Sequence, residues 1–329
     1  MTEKNLVTAI RDALHDEMAA DERVILLGED VGVRGGVFRI SDGWMEEFGE
    51  ERVLDTPLAE SGIIGIAIGM ALHGLLPVAE IEFADFIHPG FDQIVSEAAR
   101  MRYRSNGDFG VPLVIRAPCG GGIHGALYHS QSIEAFYGHV PGLKVVMPST
   151  PADAAGMLRT SLRDPDPVLF LEHKKCYRAV KGEVPDEPHE VPLGLADVKR
   201  EGADLTAVSY GYYLHLCLEA AQRLEDEEGV SVEVVDVRSI APLDKETILA
   251  SVRKTGKAMV VYEDNRTYGA GAEIASTIAE EAMFDLDGPI VRIGGPDIPA
   301  MPFAGALEHF YLHPEHDDLY ERMLELARF

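Results

Sequence analysis

Short apolar runs alternate with amphipathic stretches along the first half of the chain. The apolar runs predict strands at residues 24–27, 77–83, 111–116, 144–147 and 168–171. Amphipathic stretches predict helices over residues 6–20 and about 90–104, and Thr150 followed by Pro151 predicts the start of another helix. Apolar strands that alternate with helices are typical of a parallel sheet covered on both faces.

The alternation stops at residues 180–198, where Pro185, Pro188 and Pro192 stand among charged residues without a period. Beyond this segment it resumes, with predicted strands at 205–210, 230–237, 258–262 and 290–293 and predicted helices at 214–227, 245–254 and 272–284. We therefore predict an α/β chain of two domains. A parallel-sheet domain spans residues 1–180, a linker spans 181–199, and a smaller α/β domain spans 200–329.

The apolar stretch at residues 62–79 is long enough to raise the question of a membrane span. It contains His73, Pro77 and several glycines, and acidic residues flank it, so we interpret it as a buried helix that runs into a buried strand. Gly65 and Gly69 are four residues apart and share one helix face. That face predicts either tight packing inside the domain or a helix at a subunit interface.

Residues 120–125 match the G-x-G-x-x-G pattern of dinucleotide-binding loops. No helix is predicted to open at these glycines, and no second strand ends in an acid about twenty residues later, so we predict a mobile glycine-rich loop. The spacing of Cys119, His124 and His129 matches no common zinc site. The sequence also lacks the GxSxG and HExxH motifs.

Four longer segments carry a more specific pattern. They are LLGEDVGVRGGVFR (26–39), DTPLAESGIIGIAIGMA (55–71), EIEFADFIHPGFDQIVSEAARMRYRS (80–105) and GGGIHGALYHSQSIEAFYGHVPGLKVVMPSTPADA (120–154). VVDVRSIAPLD (234–244) adds a fifth. Together they resemble the β subunits of the branched-chain 2-oxo acid and pyruvate dehydrogenase complexes over nearly the whole chain. The resemblance implies a transketolase-like fold with a pyrimidine-binding domain and a C-terminal domain.

The resemblance also implies a thiamine diphosphate site. Glu60 matches the carboxylate that binds the aminopyrimidine ring and helps it remove the C2 proton of the thiazolium. Leu58 matches a backbone contact to the pyrimidine, and Phe86 matches an aromatic residue that packs against it. Phe86 replaces the usual Tyr and Glu82 replaces the usual Gln, which places an extra charge near the cofactor. From the residues alone, Glu60 is better explained as a helix N-terminal acid that satisfies backbone N–H groups.

Two further assignments rest on the resemblance. His129 matches a histidine that steadies the substrate or the incoming lipoyl group, and its alternative is a loop histidine with local hydrogen bonds. Family members also hold a structural potassium ion, and the matching positions are Val111, Leu113, Val114, Ser161, Asp164 and Asp166.

The GDG motif that holds Mg²⁺ and the diphosphate is missing from this chain. The diphosphate half of the site must then come from another polypeptide. The resemblance identifies it as the α subunit, which would also hold the Mg²⁺, in an α2β2 assembly.

A net charge of −27 argues against nucleic-acid binding. It fits solubility or salt adaptation, or an acidic face that docks a basic partner. The resemblance implies that the C-terminal domain docks a lipoyl acyltransferase core, and the tail carries a cluster of acids at Glu315, Asp317, Asp318 and Glu321. These acids are equally explained as a solvated helix N-terminus.

Three cysteines without a CxxC pair favour a reducing compartment, and residues 1–18 read as an amphipathic helix rather than a signal peptide. We therefore expect a cytoplasmic protein without a membrane span. The predicted function is that of the β subunit of an oxidative decarboxylase of branched-chain 2-oxo acids. A pyruvate or acetoin dehydrogenase β subunit is the near alternative, and a non-catalytic scaffold is the remote one.

Overall fold

The computed structural model describes residues 1–312 and 318–329. The chain forms two compact units. The first contains Met1–Cys119 and Phe136–Leu193, and the second contains Gly120–Ala135 and Gly194–Phe329. By its contacts, the glycine-rich segment 120–135 therefore belongs with the C-terminal half of the chain. The division into two domains joined by a linker at residues 181–199 stays a prediction from the sequence.

The first unit is built on a parallel sheet. Its strands are β1 (Thr2–Asn5), β2 (Val24–Gly28), β3 (Val53–Asp55), β4 (Leu76–Glu80), β5 (Val114–Cys119), β6 (Lys144–Val146), β7 (Val168–His173) and β8 (Lys181–Val184). Six of them pair in parallel in the order β6–β7–β5–β4–β2–β3. Every residue of β2, β5 and β7 is buried, which explains why these strands are mostly apolar rather than alternating. The charged exceptions, Arg116 in β5 and Glu172 in β7, pair with each other.

The helices of the first half follow most of the sequence predictions. They are α1 (Leu6–Ala20), α2 (Trp44–Phe48), α3 (Glu60–Leu72), α4 (Met101–Arg104), α5 (Glu134–Gly138), α6 (Pro151–Arg163) and α7 (Lys174–Ala179). The predictions for α1 and α6 are confirmed. The Thr150 side chain caps α6 by accepting the N–H of Asp153, and Pro151 occupies its first turn.

The helix predicted at about 90–104 is confirmed as a helical region, but it is not one regular α-helix. The chain instead forms a 3₁₀ turn at His88–Gly90, a π-helix at Gln93–Ala98 and the short α4. The Ala99 carbonyl oxygen would lie only 2.0 Å from a Cβ on Gly142. Because that carbonyl meets another backbone segment so closely, tertiary packing competes with the regular helical ladder at this point.

The segment between the two sequence domains is also more regular than predicted. Its first residues form β8, which pairs antiparallel with β1, and β9 begins at Asp197. The sequence could not show this pairing because the partner strand lies at the opposite end of the unit in the chain.

The glycine-rich helix α3 leaves one face open. Ile63, Ile64, Ala67 and Ile68 are buried, whereas Ile66 is 57% exposed. A Cβ on Gly69 would meet nothing within 4 Å, and one on Gly65 would meet only the Gln93 side chain, at 3.9 Å. Tight packing inside the unit therefore does not explain these glycines. Among the described residues, no helix is both long and apolar enough to span a bilayer.

The second unit repeats the α/β pattern. Its strands are β9 (Asp197–Arg200), β10 (Leu205–Ser209), β11 (Val232–Asp236), β12 (Ser239–Ala241), β13 (Ala258–Asn265) and β14 (Val291–Gly295). Its helices are α8 (Tyr212–Glu228), α9 (Lys245–Thr255), α10 (Ala270–Glu281), α11 (Gly305–Leu312) and α12 (Leu319–Ala327). The sheet runs β14–β13–β10–β11–β9, and only β9 is antiparallel to its neighbour. The strand order thus reverses between β10 and β13.

Candidate active site

Glu60 is the first residue of α3 and its side chain is almost fully buried. The N–H of Thr56 donates to the carbonyl of Gly28, at 2.9 Å, which ties the segment before α3 to the end of β2. Within the part of the chain that the structure describes, the Glu60 carboxylate accepts no hydrogen bond from a backbone N–H group. The alternative of a capping acid therefore does not account for its burial.

Glu29 follows β2 directly and was not among the predicted site residues. Burial first, and then the negative charges of Glu60 and Glu82, together raise the pKa of Glu29 from its usual value near 4.5 to about 7. A hydrogen bond from the backbone of Ala59 opposes this shift. Three acids therefore converge where α3 begins, and one of them holds a proton near neutral pH.

The polar atoms around Glu60 suit a ligand with hydrogen-bonding groups. Glu29 Oε1 and Thr56 Oγ1 are buried and, within the described ranges, have no hydrogen-bond partner. Buried polar atoms without partners are rare because each costs free energy. An aminopyrimidine ring offers both donors and acceptors, so the residues present fit this half of thiamine diphosphate.

The other predicted pyrimidine contacts lie around the same helix start. Phe86 ends a 3₁₀ turn at Ala84–Phe86, and its ring meets that of Phe83 edge-on at 6.0 Å. A Cβ on Gly90 would lie 3.5 Å from the carbonyl oxygen of Glu60, so the segment after Phe86 packs against the first turn of α3. Leu58 is 79% exposed, which leaves its side chain available to a cofactor or a partner chain.

His129 lies in the second unit, after a 3₁₀ turn at Ala126–Tyr128. A Cβ on Gly125 would come within 2.7 Å of both the Cβ and the carbonyl oxygen of His129. Glycine is therefore needed there for the chain to fold back against the histidine. No helix opens at residues 120–125, which confirms the prediction of a loop, and Gly120 and Gly122 have φ values of +81° and +85°.

The predicted potassium positions lie on two segments, one at the start of β5 and one at the end of α6. They are Val111, Leu113, Val114, Ser161, Asp164 and Asp166. Lys144 pairs with the Asp164 carboxylate at 2.8 Å, and Arg102 pairs with Asp166 at 2.6 Å. Both carboxylates are thus already paired with a positively charged side chain. A potassium ion would therefore have to bind backbone carbonyls such as that of Ser161. Among the described residues, no group of three or more His, Cys, Asp or Glu side chains suits a metal ion.

The acidic tail is described only in part, because Glu315 and Asp317 lie outside the described residues. Asp318 caps α12 by accepting the N–H of Tyr320 at 3.0 Å, and Glu321 lies in the first turn. At Asp318 the helix N-terminal explanation is therefore the one that the structure supports.

Comparison with known proteins agrees with this architecture. Residues 2–180 match the family "Transketolase, pyrimidine binding domain", and residues 194–316 match "Transketolase, C-terminal domain". The chain is 54% identical over 330 residues to the 2-oxoisovalerate dehydrogenase subunit beta of Bacillus subtilis (strain 168), covering 100% of both chains. It is 48% identical over 329 residues to the pyruvate dehydrogenase E1 component subunit beta of the same organism, again with 100% of both chains covered.

The fold is similar to that of a solved chain described as "Split gene transketolase, inactive beta4 tetramer". The TM-score is 0.76 at 25% sequence identity, and 98% of each chain is covered. The predicted transketolase-like α/β fold and the predicted family are both confirmed. The chain belongs to the family of β subunits of thiamine-diphosphate-dependent 2-oxo acid dehydrogenases.

Proposed function

We propose that this chain supplies the pyrimidine half of the active site in an enzyme that oxidatively decarboxylates branched-chain 2-oxo acids. The observation that carries the proposal is the group of acids at the start of α3, where the buried Glu60 stands beside the half-buried Glu29 with its raised pKa. A scaffold without catalysis would have no use for two acids held together against their mutual repulsion. The higher identity to a 2-oxoisovalerate subunit than to a pyruvate subunit supports the branched-chain substrate.

The residues of this chain would act on the pyrimidine ring and its protons. Thiamine diphosphate, when bound, supplies the carbon centre that attacks the 2-oxo acid and accepts its electrons. The Glu60 carboxylate would accept a hydrogen bond at the ring nitrogen and hold the proton there. Glu29 would keep a second proton within the same acidic group, and Phe86 would present an apolar face to the ring. Glu82 would add a negative charge that keeps the pKa of Glu29 high.

The remaining half of the site would come from an α subunit in an α2β2 assembly, which would also hold the Mg²⁺ and the diphosphate. The missing GDG motif supports this, and so does the open glycine face of α3 with its exposed Ile66. The C-terminal domain would dock the lipoyl acyltransferase core, and potassium would bind carbonyls between β5 and α6. Buried cysteines that form no disulfide support a cytoplasmic location.

The substrate class is tested with the reconstituted α and β pair. We expect a higher kcat/KM for 2-oxoisovalerate than for pyruvate, because both substrates share the reacting group and differ only in the side chain that the pocket encloses. The isolated chain with Mg²⁺ is the control and should bind thiamine diphosphate only weakly, as followed by calorimetry. A higher kcat/KM for pyruvate would instead support the alternative function, that of a pyruvate dehydrogenase β subunit. Micromolar or tighter binding by the isolated chain would contradict a shared site.

His129→Ala should impair acyl transfer to lipoamide at least as much as decarboxylation. The reason is its place on a glycine-supported loop, where it would steady the substrate or the incoming lipoyl group. Decarboxylation is measured with a dye acceptor and the overall reaction with lipoamide, both on the assembled enzyme. His139→Ala is the matched control, since it removes another histidine from the same stretch of chain. Wild-type rates of His129→Ala in both assays would remove it from the mechanism.

A further inference from the structure

The second unit holds its own glycine-rich segment where sheets of this kind bind ligands. In open α/β sheets, ligands bind at the carboxyl ends of the strands where the strand order reverses. Here that point lies between β10 and β13. Tyr210 follows β10 and donates its hydroxyl to Glu134 at 2.9 Å. Glu263 on β13 accepts the N–H of Gly121 at 2.7 Å and the hydroxyl of Ser132 at 3.0 Å.

Glu308 on α11 is the other anchor of this segment. Its side chain is buried, and its carboxylate accepts the N–H of Gly122 at 2.9 Å and that of His124 at 3.1 Å. The same carboxylate meets Nδ1 of the His124 ring at 2.6 Å. Both loop residues have positive φ, +85° for Gly122 and +59° for His124, so their N–H groups converge on one acceptor.

The surroundings of Glu308 hold it against the loop. A Cβ on Gly305 would lie 3.0 Å from the imidazole of His124, so the start of α11 and the loop are in close contact. At the other end of α11, the Tyr213 hydroxyl donates to the carbonyl of Leu312 at 2.6 Å. The carboxylate therefore stands on a helix whose position is determined at both ends.

The anchored residues determine where His129 stands. From His124 the chain passes through Gly125 into the 3₁₀ turn that ends at Tyr128, so few free torsions separate the anchor from the histidine. Gly125 packs directly on His129, and the N–H of Gly120 donates to the carbonyl of Gln131 at 2.9 Å behind it. His129 thus lies between two anchored points of the loop. Before it, the N–H groups of Gly122 and His124 bind Glu308, and after it, the hydroxyl of Ser132 binds Glu263.

We propose that Glu308 is a positioning residue for His129, acting through the backbone of Gly122 and His124. This inference rests on the role proposed above for His129. A carboxylate suits the task because it is an acceptor only and can take several N–H donors at once. The C-terminal half of the chain would then set the geometry of a residue that the sequence places in the pyrimidine-binding domain.

The test compares Glu308→Ala and Glu308→Gln in the assembled enzyme. Glu308→Ala should lower the overall lipoamide-linked rate by roughly 10- to 100-fold, because displacing a reacting group by about 1 Å costs rates of this order. The KM for the 2-oxo acid should change little. Glu308→Gln should recover most of the rate, since its amide oxygen still accepts N–H donors. Hydrogen exchange at the amides of Gly122 and His124 should be faster in Glu308→Ala.

Glu233→Ala is the matched control. Glu233 is equally buried, accepts the N–H of Gly202 and pairs with Lys254, but has no contact with the loop. It should lower the melting temperature as Glu308→Ala does and leave the rate within about two-fold, since it is remote from the chemistry.

A double-mutant cycle decides whether Glu308 acts through His129. In the His129→Ala background, Glu308→Ala should lower the lipoamide-linked rate by less than about two-fold, because the effects of residues that act as a unit are not additive. A further ten-fold loss in that background would overturn the inference. If hydrogen exchange at Gly122 and His124 is unchanged in Glu308→Ala while His129→Ala is impaired, the inference about Glu308 is overturned and the role of His129 stands. Wild-type rates in His129→Ala would refute the role of His129 and the inference with it.

Discussion

Glu60→Gln will lower the rate of decarboxylation by roughly 10²–10⁴-fold, the usual contribution of a positioned acid or base. Glutamine keeps the shape of the side chain, but it cannot hold a proton at the pyrimidine nitrogen. The assembled enzyme should form normally, because in the described part of the chain the carboxylate holds no backbone hydrogen bond that the change would break. The measurement is dye-linked decarboxylation by the α and β pair.

The same substitution should leave the chain as stable as before or more stable above pH 7. Burial and the charges of Glu60 and Glu82 raise the pKa of Glu29 from near 4.5 to about 7. A carboxyl group with a raised pKa in the folded state contributes stability below its usual pKa, and this contribution is lost as the pH rises through the folded value. Removing the Glu60 charge lowers the pKa of Glu29 and reduces that loss.

Urea denaturation at pH 6 and pH 8 measures this effect, and the gain from Glu60→Gln should be larger at pH 8. Glu46→Gln is the matched control, because Glu46 is an exposed acid in the first turn of α2. It should change neither activity nor the pH dependence of stability. Near-normal turnover of Glu60→Gln would exclude Glu60 from the proposed role.

Arg116→Met should destabilise the folded chain by about 3–5 kcal/mol at neutral pH, the usual cost of leaving buried charges without their partner. Arg116 is fully buried and donates from Nε and Nη2 to Glu172, at 2.7 and 2.9 Å, and from Nη1 to Glu80 at 2.5 Å. Methionine fills much of the same space, so the loss is electrostatic rather than one of packing. The three residues lie on the neighbouring strands β4, β5 and β7.

The destabilisation should shrink as the pH falls. Burial already raises the pKa of Glu80 in the presence of Arg116, and without the guanidinium the Glu80 carboxyl group will take up a proton at still higher pH. A raised pKa in the folded state means that stability is kept at low pH and lost as the pH rises. Urea midpoints of Arg116→Met and the parent chain should therefore differ less at pH 5 than at pH 8.

Two further variants separate the charge effect from a general effect of losing an arginine. Adding Glu80→Gln and Glu172→Gln to Arg116→Met removes the uncompensated charges and should recover part of the stability. Arg23→Met breaks the exposed pair with Asp21 and should cost no more than about 1 kcal/mol. An equal loss at pH 5 and pH 8 in Arg116→Met would contradict the electrostatic explanation.

Local patterns were sufficient for most of the secondary structure. The strands that apolar runs predicted, β2, β4 to β7, β10, β11, β13 and β14, carry most of the two sheets. Helices α1 and α6 have the amphipathic pattern and caps of ordinary helices. The failures share one cause. The helix predicted at 90–104 breaks where the Ala99 carbonyl meets Gly142, and β8 exists because it pairs with β1. Both depend on residues far away in the chain.

The amino-acid sequence by itself determined the family and the two-part α/β architecture, and it marked Glu60 and His129 as candidates through their motifs. It gave no sign of Glu29, because one acid after a strand carries no signal until Glu60 and Glu82 converge on it and raise its pKa. Nor did it mark Glu308, which is 186 residues from the Gly122 amide that it holds. Only tertiary structure decides such pairs, because the pKa of a carboxyl group and the donors it receives depend on which residues share its space.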